Sequence, residues 1–295
     1  MSMMKRISLI LIIALVALAS QAQLLWKVSG NGLERPSYIL GTYHLAPASM
    51  LDEIPGMDQA FEGCDVVVGE LKKEDMMNPN GLMGLASMMM APADSTLDKL
   101  YTPEQYKVIE QVFNKYCGSM GLSLGMMSRL KPEAINLLIT LMRVGSMEMS
   151  NTDLIDIGAQ ERGSQLGRAT MGFETLEEQA KLLFSDPIAK QAQSLLKACE
   201  EDDVQDEQAQ ALKDAYMSQD MNRMEALFTE AAEDGWDEDK MDSMVTRRNR
   251  NWVGKLVTMM PEQACLVCVG AAHLFGDQGL LQLLRNEGYT VEPMK

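Results

Sequence analysis

The stretch Ala264-Cys265-Leu266-Val267-Cys268-Val269-Gly270-Ala271-Ala272-His273-Leu274 decides the fold. An unbroken apolar run without alternation is what a strand buried on both faces requires, and such strands lie inside parallel sheets. The glycine that follows lets the backbone turn or approach another group closely, so His273 lands just beyond the strand end. The same arrangement stands near the other end of the chain, in Ile39-Leu40-Gly41-Thr42-Tyr43-His44-Leu45, and these two histidines are the only ones present. With 22 glycines in 295 residues, a glycine three places before both histidines has a chance of roughly 0.006 on composition alone. That figure argues against coincidence and for two matching strand-end elements.

Working outward, short strands are expected over residues 24–28 and 38–40, separated by a turn holding Gly30, Gly32 and Pro36. Further strands are expected over 65–68, 171–173, 266–269 and 289–291. Between the strands the periodicity is helical. Thr102-Pro103-Glu104-Gln105 is a capping box that starts one helix, with Tyr106, Ile109, Val112, Phe113 and Tyr116 on a single face. A second helix is read over 132–143, and Thr175 with Glu178 announces another. Residues 186–260 are rich in Ala, Gln, Glu and Met and read as more helix, and 280–286 as a last one ended by Gly288. The expectation is a mixed α/β fold whose central sheet is built from the N- and C-terminal segments, flanked by helices with a large helical middle region. Residues 23–295 are read as one domain carrying a helical insertion at about 79–149.

Residues 1–22 have the pattern of a secretory signal peptide: Lys5 and Arg6, an apolar run from Ile7 to Leu18, then small residues. The mature chain is therefore expected to be exported, periplasmic or extracellular, without stable membrane insertion, because no later stretch approaches the ~20 apolar residues a span needs. Loss of the leader moves the formal charge from -16 to -18, since it carries two basic residues and no acid. A surface that acidic excludes nucleic acid as a partner. The acidic stretches 200–207 and 230–242 lack the ligand spacing and central glycine of a calcium loop and read as solvated helix faces. Five scattered cysteines make a poor disulfide framework, and the Cys265–Cys268 pair falls inside the buried strand, where thiols are inert. The 26 methionines read as flexible packing of helices.

Chemistry gathers at the strand ends. Glu70, in Val66-Val67-Val68-Gly69-Glu70-Leu71, ends a third apolar run and reaches the same rim if the strands are parallel neighbours. Two imidazoles and one carboxylate are a ligand set for a divalent ion with open positions, which would acidify bound water and polarise a carbonyl. Taken singly, a histidine is more often a packing or surface residue; the paired context is what marks His44 and His273.

Several segments together resemble the TraB/PrgY/GumN family, which is related to the Tiki metalloproteases. They are Leu25-Trp-Lys-Val28 with Gly41-Thr-Tyr-His44, Val67-Val-Gly-Glu70, Gly172-Phe-Glu174-Thr-Leu-Glu-Glu-Gln179, Arg248-Asn-Arg-Asn-Trp252 and Val269-Gly-Ala-Ala-His273. The resemblance implies a mixed α/β fold with His44, His273 and Glu70 as site and metal ligands. Glu174 is implied as a carboxylate assisting water, Arg248 as a substrate clamp or oxyanion partner, and Asp153 as a further, weaker candidate. Tiki members resemble manganese- or cobalt-dependent proteases, whereas other relatives sequester peptides, bind haem or act as esterases without metal. The expected function is thus an exported metal-dependent hydrolase of the peptidase kind, using manganese, cobalt or zinc on a peptide or protein substrate. A non-catalytic protein that binds a peptide or hydrophobic ligand is the alternative, and a metal-independent esterase the third reading.

Overall fold

The computed structural model describes residues 23–145, 154–235 and 238–295. Six strands form one sheet: β1 (Leu25–Ser29), β2 (Ser37–Thr42), β3 (Val66–Leu71), β4 (Ala169–Glu174), β5 (Cys265–Gly270) and β6 (Thr290–Pro293). Each overlaps an expected strand: β2, β4 and β5 extend it at both ends, while β1, β3 and β6 begin one residue later and end one to three residues further on. Their order is β4-β3-β5-β2-β1-β6. The pairs β4–β3, β3–β5 and β5–β2 are parallel, while β1 runs antiparallel to both β2 and β6. The run that opened the sequence reading therefore occupies the middle of the sheet, and every residue of β5 is buried. Because β2, β3, β4 and β5 are mutually parallel, all four deliver their carboxyl ends to one rim, where open α/β sheets bind ligands.

Helices cover the sheet in a mixed α/β arrangement. We number those that matter α1 (Met57–Gly63), α2 (Pro103–Cys117), α3 (Pro132–Arg143), α4 (Ile155–Gln165), α5 (Leu176–Phe184), α6 (Ile188–Glu200), α7 (Asp202–Met217), α8 (Arg247–Met259) and α9 (Leu280–Asn286). Both expected capping boxes are formed: Thr102 and Gln105 exchange bonds at the start of α2, as do Thr175 and Glu178 at the start of α5. A five-residue π turn, Asp242–Thr246, leads into α8. Such turns widen a helix and are frequent at functional sites.

The main core packs β1, β2, β3 and β5 against Phe61, Ile155, Tyr216, Trp252 and Leu256. A second core lies away from the sheet, where Ile109, Val112 and Phe113 of α2 meet Ile135 and Ile139 of α3 and Leu195 of α6. All five cysteines are buried and unpaired, and burial pushes the Cys265 thiol up to about 12, which keeps it protonated. The methionines are not uniformly core: Met77, Met83 and Met126 are exposed, so packing accounts for only some of them. Among the described residues no helix is long and apolar enough to cross a membrane.

Candidate functional site

The two strand-end glycines work on each other's element. A Cβ on Gly41 would lie 2.7 Å from Leu274 and 3.3 Å from Ala271, in the loop that follows β5. A Cβ on Gly270 would lie 3.1 Å from Nε2 of His44 and 3.3 Å from Oε1 of Glu70. Neither glycine has a positive φ, so close approach is what requires them. In register, Thr42 lies beside Gly270 and Gly69 beside Cys268, which brings His44, Glu70 and His273 to the same rim.

At that rim Glu70 is buried and acts as the hub. Its Oε1 accepts from the Gly270 N–H at 2.8 Å, and its Oε2 accepts from Nη2 of Arg248 at 2.6 Å and Nε2 of Gln179 at 3.0 Å. Nε2 of His44 and Nε2 of His273 face the same Oε1 at 3.7 and 3.8 Å. Burial acts against the Glu70 charge, but His44, His273, Arg248 and the Gly270 N–H outweigh it and bring the carboxyl down to about 2.

The histidines differ sharply in surroundings. His44 has a side chain 59% exposed, and its Nδ1 lies 2.8 Å from Oδ2 of Asp156, whose Oδ1 accepts from Thr42 at 2.7 Å. The Asp156 charge raises the His44 pKa to about 9, against some lowering by burial. His273 is buried and locked at both nitrogens. Nδ2 of Asn249 donates to the carbonyls of His273 and Gln278, which fixes Oδ1 of Asn249 toward Nδ1 of His273 at 2.7 Å. Nδ1 must then carry the proton and Nε2 the lone pair, which accepts from Nη1 of Arg248 at 3.0 Å. Burial, with the nearby Arg248 charge, lowers the His273 pKa to about 3, so the ring is neutral.

Arg248, at the start of α8, has every N–H engaged. Nε binds Glu174 at 2.9 Å, Nη2 binds Glu70 and Glu174, and Nη1 binds His273 and the Met244 carbonyl of the π turn at 3.0 Å. Its guanidinium lies 4.6 Å over the Trp252 ring, which also contacts His273 and stacks on Phe173. Glu174 takes the Trp252 N–H at 3.1 Å besides Arg248. Arg248 thus has no donor left for a substrate oxyanion, and Glu174 is occupied by the protein itself.

All five expected site residues lie in this one network. Asp153 falls outside the described residues, and the aspartate that meets His44 is Asp156, in the first turn of α4. A Cβ on Gly163 would lie 2.5 Å from Val67 of β3, and one on Gly158 2.4 Å from Ala48 in the short turn Ala48–Asp52, so these glycines let α4 sit close to the sheet and to the turn after β2. Sequence alone did not distinguish Asp156 from Asp153 as the partner of His44. Asn249 and Gln179 also escaped it, although each lies inside a segment quoted above.

The TraB/PrgY/gumN family model matches residues 24–293, a span that contains every residue of this network. The chain belongs to the TraB/PrgY/gumN family. It is 23% identical to metalloprotease TIKI2 of Danio rerio, over 91% of this chain and 60% of that protein. It is 22% identical to metalloprotease TIKI1 of Danio rerio, over 91% and 62%, and 22% identical to metalloprotease TIKI1 of Homo sapiens, over 91% and 61%. The chain spans about three fifths of the length of these curated relatives. No solved structure matches it.

The relatives' names make a metal the natural group to test against these residues. Donors sharing one ion at bonds of ~2.1 Å lie within ~4.2 Å of one another, and the two contacts to Oε1 of Glu70 meet that limit. Distance is met but the lone pair of His273 is not free, because a guanidinium N–H already holds it. Among the described residues no group of three His, Cys, Asp or Glu side chains is placed to hold an ion. As arranged, His44, Glu70 and His273 do not fit one divalent ion as a three-ligand set.

Proposed function

We propose that this protein is a hydrolase acting on peptide-type acyl bonds, with His44 and Glu70 as its reacting pair. The observation that carries the reading is the 3.7 Å gap between Nε2 of His44 and Oε1 of Glu70, on the one side of the network where neither atom is saturated by protein. Asp156 orients the imidazole through Nδ1, so that Nε2 faces the reacting atoms, as the third member of a base–orienter pair does elsewhere. In its free form Nε2 takes a proton from water, and in its protonated form it returns that proton to the leaving group. Glu70, kept ionised, accepts a hydrogen bond from the same water and holds it beside the base. Family membership and relatives named metalloproteases support peptide hydrolysis as the reaction class.

Two readings of cofactor use stand on different grounds. The relatives' names, metalloprotease, support dependence on a metal without saying which; the Arg248–His273 contact supports a centre in which the guanidinium supplies the fixed positive charge. The test is peptide cleavage followed by mass spectrometry, comparing the parent chain with His44→Ala and Glu70→Gln, after chelation and after metal add-back. Cleavage lost in both variants is expected. Equal cleavage in all three chains refutes the reading, and saturable peptide retention without product replaces it with a sequestering role.

A further inference from the structure

We infer that Arg248 and a divalent cation are alternative occupants of the place between Glu70 and His273, and that the guanidinium keeps His273 out of any metal set in this chain. The inference rests on the proposed reading only for where the reaction centre lies; what it concerns is which cation fills it.

Asn249 fixes the tautomer of His273. Its amide is fixed by two backbone carbonyls, so its oxygen must accept from Nδ1 of His273, and Nε2 is left as the only lone pair of that ring. One lone pair serves an N–H or an ion, never both. Arg248 reaches it at 3.0 Å while bridging to Glu70 at 2.6 Å, so the guanidinium lies between the two groups that an ion would join. The arrangement is stiff: Trp252 lies under Arg248 and against His273, Phe173 backs Trp252, and the π-turn carbonyl of Met244 takes the remaining Nη1 donor. Nε2 of His44 faces the Glu70 carboxylate, and among the described residues no guanidinium bonds to it as Arg248 does to His273. The two histidines, alike in sequence context, are therefore unlike in availability.

The test uses the fact that the chain has just two histidines, so its imidazole nitrogen-15 spectrum contains two rings and His44→Ala assigns them. Titrating the parent protein with zinc is expected to leave Nε2 of His273 unmoved. Calorimetry with manganese, cobalt and zinc then compares four chains: the parent, His273→Ala, the pair Arg248→Met with Glu174→Gln, and that pair with His273→Ala added. The pair removes one guanidinium and one carboxylate together, so the local charge is conserved and a change in affinity reports the vacated place. The pair should bind an ion about tenfold more tightly or better, the gain should vanish without His273, and His273→Ala alone should change little. A zinc-shifted His273 Nε2 in the parent overturns the inference. So does tenfold weaker binding in His273→Ala, a pair that binds no more tightly, or a gain that survives loss of His273. Should the pair fail to give a cooperative melt, Arg248→Lys replaces it, because an ammonium keeps the charge but has three donors where the guanidinium has five, and a smaller gain through His273 is expected. None of these readouts is turnover, so absence of hydrolysis would refute the proposed function without touching this inference.

Discussion

The rim and the helical region each hold an arginine between two carboxylates over an aromatic ring. At the rim Arg248 binds Glu70 and Glu174 over Trp252; in the helical region Arg143 binds Asp206 at 2.7 Å and Asp202 at 2.6 Å over Tyr116. Lys115 and the Tyr116 hydroxyl complete the second cluster, which staples α2, α3 and α7 together. The part of the acidic stretch 200–207 that holds Asp202 and Asp206 is thus a staple as well as a solvated face. The ion-pair architecture is common to both places. What separates a reaction centre from a staple is the neighbour: strand-end imidazoles with an unsaturated nitrogen at the rim, an amine and a phenol in the helices.

The comparison can be strained first through stability. Arg248→Leu strands two buried carboxylates and is expected to cost about 3–5 kcal/mol, whereas Arg143→Leu, whose aspartates are more exposed, should cost about 1–3 kcal/mol. Urea denaturation of the two variants checks this, and equal losses would erase the distinction in burial.

Activity should divide the clusters next. His44→Ala is expected to lower kcat/KM for a cleaved peptide by about 10²–10⁴, while Lys115→Ala leaves turnover intact whatever it does to the melting temperature. Parallel kinetics and thermal melts decide it.

The clusters should also answer to opposite ends of the pH scale. Burial opposes the Asp202 and Asp206 charges, but bonds from Lys115, Tyr116 and Arg143 outweigh it and hold both carboxyls low. Their stabilisation is present above the unfolded value of about 3.9 and lost as pH falls through the folded one. His44 is raised to about 9 by Asp156, so its contribution is complete below the unfolded value and lost as pH rises through about 9. Ring titration by NMR should show a midpoint above 6.5 that Asp156→Asn brings back toward it. A midpoint unmoved by that substitution would break the assignment of Asp156.

The smallest effect compares the capping boxes. Thr102→Ala and Thr175→Ala should each cost about 1 kcal/mol, yet only the second should alter turnover, because α5 carries Gln179 to Glu70. Matched denaturation and kinetic measurements separate the two.

Local pattern carried the strands, the capped helices and the two glycine-histidine elements, because each is written in adjacent residues. The position of β5 between β2 and β3 is not local, since pairing across more than 190 residues leaves no trace in either strand. The sequence placed His273 and Arg248 in the site but could not say that each would satisfy the other, which depends on the lone-pair count of a folded cluster. Asp156 was hidden by register: Glu148, Asp153 and Asp156 stand within nine residues of sequence, and it is the folded contact that assigns Asp156 to His44.

The central place of β5 also sets an order of events during synthesis. Ribosomes make β2 and β3 early, yet both must wait for a strand that emerges only after residue 265. Until then Glu70 lacks the Gly270 N–H, and His273 does not exist. The rim network is therefore completed only when β5 and the turn after it have been translated, and a chain terminated before Gly270 cannot assemble it.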